Sequence, residues 1–190
     1  MPPQMKFTRG EVIAAALEIV REGGMPALTA RSLASALGSS AKPVFGLFEN
    51  MQQVQDEVVR AANMEYQIFL ADGMRSGRYP PYKASGMAYI AFARQFPELF
   101  KLLFMRDRSA MEQTQAEDDS IEGIISMISQ NTGLSRENAR LFHLEMWIFV
   151  HGIAAMIVTG YLDWDEEYIS HALTDVYEGL RHRWHEGEKK

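Results

Sequence analysis

The sequence predicts an all-α fold. Apolar residues recur at helical spacing along most of the 190 residues, and no run of alternating β-branched residues bounded by turn residues appears. The apolar segments also begin at residues that cap helices, such as Thr8 and Thr29, and end at glycines. These observations predict a chain built from helices alone.

Two capped helices open the chain. Thr8 and Glu11 have the spacing of a capping box, and Gly23 and Gly24 end the helix that follows. Thr29 is placed to cap a second helix over ARSLASAL, which Gly38 stops.

A short third helix is predicted over residues 41–47. Ser39 and Ser40 are good N-caps, and Pro43 is tolerated in the first turn because its missing N–H would have no intrahelical partner there. Gly46 marks a helix of about two turns or a close approach of its backbone. Two short helices joined by a glycine-containing turn predict a helix-turn-helix, with an ordinary helical hairpin as the alternative. Its small core is expected to contain Ile13, Leu17, Val20, Leu33, Leu37, Val44, Phe45 and Phe48.

The rest of the chain is predicted to be helical, with a loop over Arg106 to Ser120. Pro97 occupies a favourable first helical position, Gly133 ends a helix, and Ser135 caps the next one. The expected helices are Met51–Arg75, Lys83–Gln95, a helix over FPELFKLLFM, Ile121–Gln130, Arg136 to about Gly160, and about Glu166 to Glu186.

Composition excludes several classes of protein. The chain has no cysteine, which rules out disulfides, thiolate metal sites and cysteine nucleophiles. Its N-terminus, MPPQMKFTRG, lacks the apolar core of a signal peptide, so a cytoplasmic protein is expected. The apolar run Met146 to Leu162 is shorter than the roughly 20 residues of a membrane helix, and a buried helix is expected there instead. No cofactor and no metal site are predicted.

Charge is distributed unevenly. The net charge is −6, but residues 1–48 contain five basic and three acidic side chains, a net charge of +2 that leaves −8 for the remainder.

A capped first helix is followed by the segment LTARSLASALGSSAKPVFGLFENMQQV, then by a long helix and by a remainder that is helical throughout. This order of segments resembles that of the TetR family of transcriptional repressors. The resemblance implies a DNA-binding domain over residues 1–50 and a ligand-binding and dimerisation domain over residues 51–190. The family usually has a tyrosine at Phe45, a histidine or aromatic residue at Leu47 and a lysine at Met51. Loss of the hydroxyl and the cation weakens contacts with DNA phosphates. The positions that carry the motif are Thr29, Leu33, Ala34, Gly38, Ser40, Phe45 and Phe48.

The candidate DNA-binding residues follow from this placement. Arg31 and Lys42 are expected to contact phosphates or bases, and serine and threonine hydroxyls near helix N-termini can donate to phosphates. The candidate set is Thr29, Arg31, Ser39, Ser40, Lys42 and Phe45.

A second resemblance concerns MWIFVHG. Trp147, His151 and Gly152 match the Trp-xxx-His-Gly (WHG) signature of one TetR subgroup. These side chains line a ligand pocket in one interpretation and are packed core residues in the other. The candidate ligand-binding residues are Met87, Phe100, Phe104, Trp147 and His151.

The run Met146 to Leu162 is apolar nearly all round, so it must be covered on more than one side. The last helix carries a matching stripe, and together they predict a homodimer with a four-helix interface.

The expected function is a ligand-responsive repressor that a small apolar or aromatic effector releases from a palindromic double-stranded DNA operator. The alternative is a helical ligand- or protein-binding module with a decayed DNA-reading surface. An enzyme is disfavoured because the sequence has no nucleophile elbow, no phosphate-binding glycine loop and no paired metal-ligand motif.

Overall fold

The computed structural model describes residues 7–40, 42–107 and 115–187, with side chains described to residue 184 except for those of 115–120. Within these ranges the chain forms helices and no strands, which confirms the predicted fold class. The α-helices are α1 (Arg9–Gly23), α2 (Ala30–Ala36), α3 (Met51–Arg75), α4 (Pro81–Gln95), α5 (Pro97–Phe104), α6 (Gln115–Thr132), α7 (Arg136–Val158) and α8 (Glu166–Gly187). Two 3-10 turns, Met25–Ala27 and Val44–Gly46, lie before and after α2.

The helices group into two compact units. The first comprises Met1–Ile68 and Gln95–Arg106, and the second comprises Phe69–Arg94 and Asp107–Lys190. The long helix α3 therefore contributes to both. The functional division at residue 50 stays a prediction.

Helix α1 begins at the predicted capping box, but the side chains that it buries differ from those predicted. The Thr8 hydroxyl accepts from the Glu11 amide, and the Glu11 carboxylate accepts from the Thr8 amide at 2.8 Å, which confirms the capping box. The side chains that reach the core, however, are Val12, Ala16 and Val20, whereas the predicted Ile13 and Leu17 are only half-buried. The buried stripe at four-residue spacing includes a small alanine, which allows neighbouring segments to approach α1 closely.

The prediction of a third α-helix over residues 41–47 is wrong. In place of an α-helix over residues 41–47, the structure has the three-residue 3-10 turn Val44–Gly46; Ala41 lies outside the described residues. Pro43, rather than Ser40, occupies the N-cap position, and no side chain caps the turn. Helix α2 also has only seven residues, so length alone does not decide the difference; Pro43 before the turn and Gly46 within it are poor residues for a helix interior.

Phe45 is also placed differently from its prediction. It was expected in the core but is 44% exposed, whereas Val44 and Phe48 are buried as predicted. Val44 and Phe48, four residues apart, are directed to the core, so Phe45, which directly follows Val44, points away from it.

The second unit contains α4, α6, α7 and α8. The amide of Asn138 donates to the Ser135 side chain, which confirms the cap of α7, and Gly133 adopts a φ of +77° after α6. Helix α6 begins at Gln115, six residues before the predicted start, so the predicted loop is wrong for residues 115–120. Polarity alone suggested that loop, but Gln115 to Glu122 contains neither glycine nor proline to oppose a helix. Residues 108–114 of the predicted loop lie outside the described residues.

Helix α7 is long and apolar enough, by length and composition, to cross a membrane. Core helices of soluble proteins satisfy the same criterion. Only part of α7 is buried within the single chain, and Leu144, Trp147 and Ile148 are exposed. That a second subunit covers the rest of this helix stays a prediction.

Candidate nucleic-acid interface and effector site

The first part of the candidate DNA surface is the start of α2. The Thr29 hydroxyl accepts from the Ser32 amide at 3.0 Å, and the Ser32 hydroxyl accepts from the Thr29 amide at 2.9 Å. Thr29 is exposed although its hydroxyl is engaged in capping. Arg31, two residues further along, is also exposed. A cation beside a helix N-terminus suits contact with a phosphate.

The second part follows α2. Gly38 makes the turn with a φ of +58°, a conformation that favours glycine. Ser40 and Lys42 are exposed, Ser39 is half-buried, and the Phe45 ring projects from the 3-10 turn. We call residues 42–48 the reading segment. The surface side chains are therefore polar, cationic or aromatic, all of which occur where proteins contact DNA.

Arg9 is not among the residues that the sequence predicted for the DNA surface. Its guanidinium donates to the Leu47 carbonyl at 2.7 Å, lies 4.3 Å from the centre of the Phe48 ring and is 3.3 Å from the Glu57 carboxylate. Arg9 thus joins the start of α1 to the end of the reading segment and to α3. Nothing in the sequence relates Arg9 to residues 38 or more positions away.

The candidate effector residues of the second unit are centred on α7. The Trp147 and His151 rings are stacked, with centroids 5.0 Å apart and an interplanar angle of 17°. Trp147 is 42% exposed, whereas the His151 Nδ1 atom lies 2.9 Å from the hydroxyl of the buried Tyr89 on α4. Desolvation lowers the pKa of His151, so its ring is neutral at pH 7. Met87 is buried on the same helix as Tyr89.

The two remaining candidates, Phe100 and Phe104, belong to the first unit. Phe100 is fully buried, and Phe104 lies 5.1 Å from the Phe100 ring and 5.0 Å from the Tyr66 ring. That the five candidates share one ligand pocket stays a prediction.

A second tyrosine–histidine pair joins α4 to α7. The Tyr82 hydroxyl lies 3.0 Å from the His143 Nδ1 atom, and the Tyr82 ring also approaches Tyr177 of α8. Burial lowers the pKa of His143 and raises that of Tyr82, so both groups are neutral at physiological pH. The helical spacing of His143 and His151 was visible in the sequence, but their tyrosine partners were not.

Within the part of the chain whose side chains are described, no group of three or more histidine, aspartate or glutamate residues could hold a metal ion.

Comparison with known proteins agrees with the fold. A family model described as "Tetracyclin repressor-like, C-terminal domain" matches residues 82–177, which is more than half of the chain. The chain belongs to the tetracycline repressor-like (TetR) family. The match covers α7, which carries the Trp147–His151 stack, and all but the first residue of α4, which carries Tyr89. The narrower WHG subgroup stays a prediction.

Solved structures show the same TetR-like fold. A protein of unknown function from Rhodococcus sp. RHA1 is 21% identical with a TM-score of 0.75, covering 95% of this chain and 100% of its own. A TetR variant from Acinetobacter baumannii AYE in complex with minocycline is 18% identical with a TM-score of 0.56, covering 95% and 98%. The multidrug binding protein EbrR complexed with imidazole is 16% identical with a TM-score of 0.58, covering 88% and 93%. No curated protein matches the chain.

Proposed function

We propose that this TetR-family protein is a cytoplasmic, homodimeric repressor that leaves a palindromic DNA operator when a small apolar or aromatic effector binds. The observation that supports the proposal is the exposed cationic and aromatic surface around Gly38. Arg31 and Lys42 are exposed on either side of this turn, and Phe45 follows them. In a helix-turn-helix these positions face the major groove and its phosphates.

Salt-dependent binding of DNA tests this proposal. Lysine and arginine contacts with phosphates release counterions, so the logarithm of the binding constant falls linearly with the logarithm of the salt concentration. We expect such a slope for wild-type protein on a random-sequence duplex, measured by fluorescence anisotropy. Selection from a random duplex pool should then enrich a palindrome, because a two-fold symmetric dimer presents two identical reading segments.

The alternative function, a ligand- or protein-binding module without DNA binding, has specific support. The reading segment is a 3-10 turn rather than an α-helix, and Leu47 and Met51 replace side chains that contact DNA in the family. Retention on DNA that does not change with salt, or no retention at all, would favour this alternative over the repressor.

The chemistry around Trp147 supports an apolar or aromatic effector. An indole that is partly exposed and stacked on a neutral imidazole offers a flat surface to another ring. The cations of α4 are engaged: Arg94 donates to the Trp164 carbonyl, and Lys83 donates to the Thr174 hydroxyl. A strongly anionic effector is therefore disfavoured. To release DNA, the effector must bind the DNA-incompetent conformation more tightly than the competent one.

The outward faces of α7 and α8 support a homodimer. Leu144 and Ile148 are exposed on α7, and Gly152 and Gly179 face open space where a partner helix could approach closely. An exposed apolar stripe of this kind on a soluble protein marks an interaction surface. In the proposed dimer, α7 and α8 of both protomers form a four-helix interface.

A further inference from the structure

The reading segment has little secondary structure of its own to fix its orientation. Its main-chain hydrogen bonds within the turn run from the Leu47 and Phe48 amides to the Val44 carbonyl, at 2.9 and 3.0 Å. A 3-10 turn of three residues has poorer hydrogen-bond geometry than an α-helix and no further turns to stiffen it. The buried side chains of Val44 and Phe48 hold one side of the segment, so its orientation depends on tertiary contacts.

Arg9 supplies such a contact at the carboxyl end of the turn. One guanidinium nitrogen donates to the Leu47 carbonyl at 2.7 Å, and another lies 3.3 Å from the Glu57 carboxylate of α3. The guanidinium carbon also lies 4.3 Å from the centre of the Phe48 ring. All four residues belong to the first unit. A planar guanidinium can bond two acceptors in different directions at once, which a lysine ammonium does less well because its donors are not held in a fixed fork.

We infer that Arg9 is a positioning residue for DNA recognition: it fixes the end of the reading segment against α1 and α3 without itself contacting DNA. Its side chain is committed to the Leu47 carbonyl, the Phe48 ring and Glu57, so it is engaged within the protein. This inference rests on the proposed DNA binding and names a residue that the proposal does not contain. In this role Arg9 limits how far the reading segment, and with it Phe45, can change its orientation.

Hydrogen exchange tests the positioning role without DNA. Arg9→Met keeps the length of the side chain but removes its donors, and we expect the Leu47 and Phe48 amides to exchange about tenfold faster. Arg9→Lys should restore part of the protection, and Glu57→Gln, which leaves the bond to Leu47 intact, should change it little. Glu65→Gln is the matched control for general destabilisation, because it breaks an ion pair of the same unit that does not involve the reading segment.

DNA binding supplies the second measurement. On the duplex that wild-type protein enriches from a random pool, Arg9→Met should lower the ratio of selected to nonspecific affinity about tenfold, with an unchanged salt slope on nonspecific DNA. A slope reduced by about one would show that Arg9 contacts a phosphate and would overturn the inference. If the Leu47 and Phe48 amides exchange at the wild-type rate in Arg9→Met while wild-type protein binds DNA, the inference about Arg9 is wrong but the proposed function stands. Wild-type protein without salt-dependent DNA binding would overturn the proposed function and this inference with it.

Discussion

Replacement of Ile148 by alanine should weaken the proposed dimer by about two orders of magnitude. The substitution removes three carbon atoms, each worth about 0.8 kcal/mol when fully buried. Because Ile148 is 59% exposed in the single chain, about 1.4 kcal/mol per protomer is available to the partner. A symmetric interface contains the residue twice, so the loss is about 3 kcal/mol, or roughly 100-fold in the dimer dissociation constant.

Ile68 on α3 provides a matched control. It is 57% exposed, and Ile68→Ala removes the same three carbons from a surface outside the proposed interface. Sedimentation velocity over a concentration series should show a dissociation constant within about twofold of wild type for Ile68→Ala. Equal weakening by both substitutions would refute the assignment of the interface to α7. A wild-type chain that sediments as a stable 21.5 kDa monomer at micromolar concentration would refute the dimer itself.

Three further predictions concern the DNA surface, the effector and pH. Lys42→Ala and Arg31→Ala should each reduce the salt slope of DNA binding by about one if the side chain contacts a phosphate, and unchanged binding in both variants would show that the DNA surface lies elsewhere. Trp147→Ala should lower the affinity for an effector found by thermal-shift screening of aromatic compounds at least about fivefold, while DNA affinity measured by anisotropy stays within a few-fold. Burial lowers the pKa of His143 in the folded state, so the unfolded chain binds more protons as the pH falls below about 6.5, and acid destabilises the fold. Chemical denaturation at pH 7 and pH 5.5 should show a smaller acid-induced loss of stability for His143→Asn, which cannot titrate but can still accept from Tyr82; equal losses would show that His143 is not responsible.

Local sequence signals predicted the helix ends well. Thr8, Thr29 and Ser135 cap helices as expected, because a cap depends on residues within three positions of one another. Met51 and Arg75 bound α3 as predicted, since a strong apolar period continues without a breaker.

The errors arose where distant residues decide the structure. Whether residues 41–47 form an α-helix depends on what covers them, and the contacts of Val44 and Phe48 with the first unit are compatible with a 3-10 turn. Which face of α1 is buried likewise depends on the segments that surround the helix, and Val12 is buried there in place of Ile13. The candidate site shows the same limit, because the partners of His143 and His151 lie 61 and 62 residues away.

The two tyrosine–histidine pairs also limit how the second unit can deform. Tyr82 and Tyr89 are seven residues apart on α4, whereas His143 and His151 are eight residues apart on α7, and one residue corresponds to about 1.5 Å of helical rise. The two hydrogen bonds therefore fix the register of α4 against α7 at two points. Sliding one helix along the other to the next turn breaks both bonds and brings neither tyrosine opposite a new imidazole. Helices α4 and α7 should consequently move as one rigid body. An effector that stacks on Trp147 would displace both helices together and would not separate α4 from α7.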